Sequence, residues 1–212
     1  MDLVGALAYG ELSAFTRLAA DARLAPTLAD EVALAGYAAR RFGDFRRLVD
    51  HLEGLGVDSD AAMAPFVDPL DAFHDMTAPA DFLEGLVKAY VGDGIARDFY
   101  REMADLLDAD GTAAASRALL LELLVEPAGA GDYVVGAVTR AVAADPPVGG
   151  RLALWARRLV GEALTQTQRA AAQRDALLEL VGERRDLAEM LALLGRVTDG
   201  QAARMTALGL SG

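Results

Sequence analysis

Apolar residues recur at helical spacing along almost the whole chain, and prolines, glycines and capping residues cut that pattern into segments. Leu3, Leu7, Glu11, Ala14 and Leu18 trace the inner stripe of a first helix over residues 2–23, which Pro26 stops. Thr27 is placed to cap a second helix running to Leu55 and closed by Gly56. Its inner seam passes through Leu34, Tyr37, Arg41, Asp44 and Leu48. Residues 57–79 contain three prolines and several acids. They predict a long connector with short helical turns at 59–64 and 69–74, pinned by Phe66, Leu70 and Phe73. A third helix is expected over 80–107. A fourth runs from Thr112 to Glu126, where Pro127 must kink or break it before the pattern resumes over 132–143. A fifth helix over 151–181 and a last one over 185–208 follow the Asp145-Pro146-Pro147 junction.

These segments predict an all-α protein. Its core is a four-helix bundle over residues 2–143, with two additional C-terminal helices over 151–208, and the chain 1–212 forms a single domain. Composition agrees. Hydrophobic residues make up 53% and aromatics only 6%, with Ala and Leu, the residues easiest to place in a helix, dominating. The single isoleucine, Ile95, and the lack of β-branched runs argue against a sheet.

Charge narrows the range of functions. The formal net charge is −12, so unspecific nucleic-acid binding would need a local basic patch to overcome the overall field. The absence of cysteine excludes disulfides and thiolate metal sites and fits a reducing compartment. No basic, leader-like segment opens the sequence and no apolar run reaches membrane-spanning length, so a cytoplasmic protein without a membrane partner is expected. Apolar surface left over on the last two helices can support a homodimer or simply close the core.

Candidate chemistry lies in the seams. Asp93, between Gly92 and Gly94, shares a helical face with Phe82, Leu86, Tyr90 and Tyr100. A lone buried carboxylate is costly unless a metal, a cation or a proton neutralises it, and small neighbours let another helix or a ligand come close. Glu11, Asp44 and Glu126 repeat the oddity on three further helices. Arg41 lies one turn from Asp44 on the same face, where an inward ion pair competes with a solvated basic edge. Asp71, His74 and Asp75 have ligand chemistry, but a lone histidine in an acidic loop is more often a surface or capping residue. Four helices each contributing a carboxylate is the arrangement by which bundles hold two irons, with one imidazole per metal.

The segments AYGELSAFTRLAADARLAPTLAD, LVKAYVGDGIARDFYREM and RLALWARRLVGEALTQ resemble the MiaE-like, ferritin-like proteins related to a tRNA hydroxylase. The resemblance covers most of the chain. It implies a ferritin-like bundle, iron as cofactor, a link to tRNA, and Glu11 and Asp93 as first- and third-helix ligands. It also implies Glu-x-x-His in the second helix and an acid followed by His three residues on in the fourth. Here those motifs fall on Arg41-Phe42-Gly43-Asp44 and Glu126-Pro127-Ala128-Gly129, and neither His51 nor His74 lies at a motif position.

Three readings follow. A metal-dependent hydroxylase or oxidase would use an all-carboxylate site of Glu11, Asp44, Asp93 and Glu126, suited to one hard cation. In the second reading Arg41 replaces the metal as counter-charge and leaves a non-catalytic bundle for interaction or regulation. In the third, the interhelical cavity binds an organic ligand.

Overall fold

The computed structural model describes residues 2–107, 110–125, 129, 131–173 and 187–210, and among these there is no strand. The helices are α1 (Asp2–Asp21), α2 (Leu28–Gly54), α3 (Ser59–Met76), α4 (Phe82–Val87), α5 (Asp93–Asp105), α6 (Gly111–Leu123), α7 (Asp132–Ala144), α8 (Pro146–Gln173) and α9 (Leu187–Ala207). The protein is an all-α bundle. Short polar side chains open the helices. Thr27 Oγ1 accepts from the Asp30 amide at 3.2 Å, Asp58 accepts from Asp60 and Ala61, and Asp81 accepts from Glu84 at 2.9 Å. Glu84 in turn accepts from the Ala80 amide at 2.8 Å, so the start of α4 is closed from both sides.

Helix α1 is the axis of the bundle, packed on α2, α3 and the α4–α5 rod. It runs antiparallel to α2, because Leu18 and Leu34 share one apolar cluster while Val4, Leu7 and Leu48 share another. α4 and α5 form one rod through a π-helical turn, Lys88–Gly92. A π turn inserts one extra residue and commonly marks a functional position. α6 and α7 follow one another as the fourth rod; α6 ends at Leu123, three residues short of the expected end at Glu126, and Glu126 and Pro127 lie outside the described residues. α8 docks on α4, where Trp155 Nε1 donates to the Glu84 carbonyl at 3.0 Å and Arg151 bonds the Glu84 carboxylate at 2.6 Å. α9 lies on α5 through Arg204–Asp98 and Arg196–Glu102.

Two expectations need correction. The 57–79 connector is one helix, α3, despite Pro65 and Pro69. The carbonyls deprived of a helical donor belong to Ala61 and Pro65, both exposed, so water replaces the lost bonds. Gly5 lets α3 approach α1 so closely that a Cβ built there would lie 2.3 Å from the Ala62 carbonyl oxygen. The fifth helix starts at Pro146 rather than at residue 151, since proline suits the first turn of a helix.

The core is divided. One apolar cluster gathers Leu18, Leu34, Leu86, Val91, Val138, Trp155 and Leu208. The other gathers Val4, Leu7, Leu52, Met63, Leu120 and Leu124. Between them, at mid-height, α1, α2 and α5 present residues 11–17, 41–44 and 93–100, and this band is polar.

Candidate polar centre of the bundle

Glu11 is only 4% exposed. Nη1 of Arg41 sits 3.3 Å from both its carboxylate oxygens, so a single nitrogen is shared between them. Burial raises the Glu11 pKa, against the lowering influence of Arg41 and Arg97, while Asp44 and Asp93 push it further up. For Arg41 burial alone would lower the pKa, but Glu11, Asp93 and Asp44 together hold it above its ordinary value. Tyr100 lies beside this pair, its hydroxyl pushed up to about 12 by burial and by the Glu11 charge.

Asp93 begins α5, immediately after the π turn. Its partner is Arg17, whose Nη2 donates to Oδ1 at 2.7 Å. Oδ2 is buried with no hydrogen-bond partner among the described residues. Nη1 of Arg17 lies 3.0 and 3.2 Å from the two ring nitrogens of His74. Burial, then Arg17 and Lys88, drives the His74 pKa down to about 2, so the ring is neutral and accepts from the guanidinium through one nitrogen. His74 is thus an interior hydrogen-bond acceptor, not the surface or capping residue expected.

Lys88, inside the π turn, is 1% exposed. Its Nζ donates to the Thr77 carbonyl at 2.7 Å and stands over the Phe73 ring. Burial and the Arg17 charge push its pKa down to about 7, against Asp93, Asp21 and Asp75. Asp21 is buried with Oδ2 unbonded among the described residues, and burial raises its pKa against Arg17 and Lys88.

Asp44 is half-buried, its pKa raised by burial and lowered by Arg41, Arg97, Arg47 and Arg40. It shares the electrostatic neighbourhood of Glu11 and Arg41. Arg97 Nη2 also donates to the Leu123 carbonyl at 2.8 Å, and Arg101 to that of Leu124 at 2.7 Å, so α5 caps the end of α6. Glu126 lies outside the described residues. Of the five residues singled out from the sequence, Glu11, Arg41, Asp44 and Asp93 are therefore brought to one level of the bundle. Gly94, as expected, admits a neighbour: a Cβ there would lie 2.5 Å from Arg204 Nε of α9.

Sequence reasoning missed Arg17, Asp21 and Lys88. Arg17 and Asp21 were findable, being three residues from Ala14 and from Leu18 on the inner stripe. Lys88 was missed because the seam was read through Phe82, Leu86 and Tyr90, whereas α4 also buries Glu84, Gly85 and Val87, and Lys88 lies one turn on from the first two.

A cavity of about 50 Å³ opens beside this centre, lined by Tyr37, Arg40, Arg41, Tyr90, Asp93 and Arg97 together with apolar residues. It has room for a few waters and is far below the several hundred Å³ that an organic ligand typically needs.

A family model described as a ferritin-like domain of actinomycetes matches residues 1–184. The chain belongs to this ferritin-like family. No curated protein matches it. A ferritin-like bundle raises the question of a di-iron centre, and the donor set here does not fit one. Arg41 stands where the MiaE-like resemblance expects a second-helix Glu, and guanidinium nitrogens already bond Glu11 and Asp93. His51 Nε2 is 2.8 Å from Ser116 Oγ, and His74 faces Arg17. Gly129, where the MiaE-like resemblance expects the fourth-helix imidazole, adopts φ +77°, a conformation that strains any side chain. Among the described residues no group of three or more His, Asp or Glu side chains is arranged to hold a metal ion. Nor, among them, is any helix long and apolar enough to cross a membrane.

Proposed function

We propose that this chain is a ferritin-like bundle of the MiaE-like lineage in which two ion pairs, Arg41–Glu11 and Arg17–Asp93, stand where the lineage holds metals, and that it serves as a non-catalytic interaction or regulatory bundle. The observation that carries this reading is that both acids at the implied ligand positions already accept from a guanidinium. Arginine stays protonated inside proteins, so an incoming cation meets a fixed like charge rather than an open carboxylate. Elemental analysis of protein expressed with iron, manganese and zinc supplied should find well under one metal per chain, and a chelator should leave the thermal midpoint unchanged. Stoichiometric metal would overturn the proposal in favour of a hydroxylase or oxidase using Glu11, Asp44, Asp93 and Glu126.

The lineage is linked to tRNA, but the charge of −12 opposes it. Fluorescence-anisotropy titration with tRNA should show weak binding that collapses as salt rises. Tight binding at physiological salt would instead assign the task to the exposed arginines of α2, Arg40, Arg46 and Arg47.

A further inference from the structure

Four of the eight large apolar side chains that stand exposed among the described residues lie between positions 24 and 42: Leu24, Leu28, Val32 and Phe42. On α2 they fall into register. Leu28, Val32, Ala35, Ala39 and Phe42 follow one another at alternating spacings of four and three, the seam of a coiled coil, and Arg46 continues the row. All six are exposed, Leu28 at 74% and Val32 at 63%. Phe42, 40% exposed, is held on its inner side by the rings of Phe15 at 5.0 Å and Phe45 at 5.7 Å. The side of α2 toward α1 buries Leu34, Ala38, Leu48 and Leu52, so this row is a second apolar face, turned away from the core.

We infer that this outer face of α2 pairs two copies of the chain, helix against helix and antiparallel. The row is symmetric about Tyr37: Leu28 matches Arg46, Val32 matches Phe42 and Ala35 matches Ala39. A two-fold axis at that level therefore sets Val32 against Phe42 of the partner subunit and Ala35 against Ala39 of the partner subunit, large against large and small against small. Charge selects the same direction. Glu31, exposed on the flank of the row near the start of α2, and exposed Arg46, which continues the row near its end, carry opposite charges. Antiparallel pairing sets Glu31 one turn from Arg46 of the partner subunit, where it joins the exposed pair that Arg46 makes with Asp50 of its own helix. Parallel pairing would set like charge on like. Gly36 and Gly43 flank the seam, and a Cβ on either meets nothing within 4 Å, so the helix backbone is open to close approach there. The occupant is thus a second copy of this chain. Among the described residues, the last two helices show two exposed large apolar side chains, Leu154 and Leu194, one on each helix.

Sedimentation equilibrium of the full chain, run over a concentration series, tests this. The parent should dimerise. Ala39→Arg sets two bulky like charges beside the axis and should give a monomer with unchanged helical circular dichroism, whose thermal midpoint no longer depends on concentration. Glu31→Arg and Arg46→Glu should each weaken the dimer several-fold, and the two together should restore it, because the ion pair is rebuilt with its signs exchanged. Should Ala39→Arg fail to fold, the charge-exchange series decides alone. A parent that stays monomeric at every attainable concentration would overturn the inference. So would a dimer indifferent to a folded Ala39→Arg, or charge exchanges whose effects merely add.

Discussion

Arg41→Ala is expected to destabilise the bundle by about 3–5 kcal/mol at neutral pH, because it strands a buried carboxylate without its cation. Glu11 is 4% exposed, and Arg41 is the one guanidinium among the described residues bonded to it. Packing accounts for part of the loss, since the arginine stem also fills space. Arg41→Met keeps that stem and isolates the charge, and Arg41→Lys should recover part of the stability. The pH dependence has a definite sign. The folded pKa of Glu11 already lies above its ordinary 4.5, so the folded state holds that proton more tightly than the unfolded chain does. Stability from this group therefore increases as pH falls through the folded pKa toward 4.5 and is lost as pH rises again. Removing Arg41 takes away the chief influence lowering that pKa, so the window widens upward. The gap between parent and variant should be greatest at neutral pH and narrow on acidification. Urea denaturation of both proteins across pH measures this. Equal midpoints at every pH would show that the guanidinium compensates nothing.

The second large effect separates two glycines of the same helix. Gly5→Ala should cost about 1–3 kcal/mol, the usual range for overpacking. Gly10→Ala should gain up to about 1 kcal/mol from helix propensity. At Gly5 an added Cβ would lie 2.3 Å from a backbone oxygen of α3, whereas at Gly10 it meets nothing within 4 Å. Carbon–oxygen contacts normally sit at roughly 3.3–3.6 Å, so α1 and α3 would have to part by about 1 Å along a buried seam. A backbone carbonyl cannot swing aside as a flexible side chain can. Denaturation midpoints moving in opposite directions are the expected result, and two stabilising changes would show that α1 and α3 are not in contact at Gly5.

α3 shows how local signals mislead. Pro65 and Pro69 each remove a hydrogen bond, and read alone they divide the segment into turns. The Asp58 cap and the contact with α1 at Gly5 outweigh them, and the second of these involves residues more than fifty positions away. The π turn was equally hidden. Its extra residue shifts the register between α4 and Asp93, and a fixed 3.6-residue period has no means of registering that.

By itself the sequence determined the helical class, the interruption between α6 and α7, and the placement of Glu11, Asp44 and Asp93 on inward seams, with Arg41 open between an inward pair and a solvated edge. Those are properties of period, propensity and steric exclusion, and all act within a turn or two of chain. Which cation meets which acid was left to the tertiary structure. Glu11 took Arg41, but Asp93 took Arg17, with neutral His74 supporting the guanidinium from α3. Ion pairs inside a bundle are chosen by the relative rotation and height of separate helices, and a one-residue shift such as the π turn redirects a side chain by about 100°. The sequence set the charges at mid-height of the bundle; only packing decided their partners.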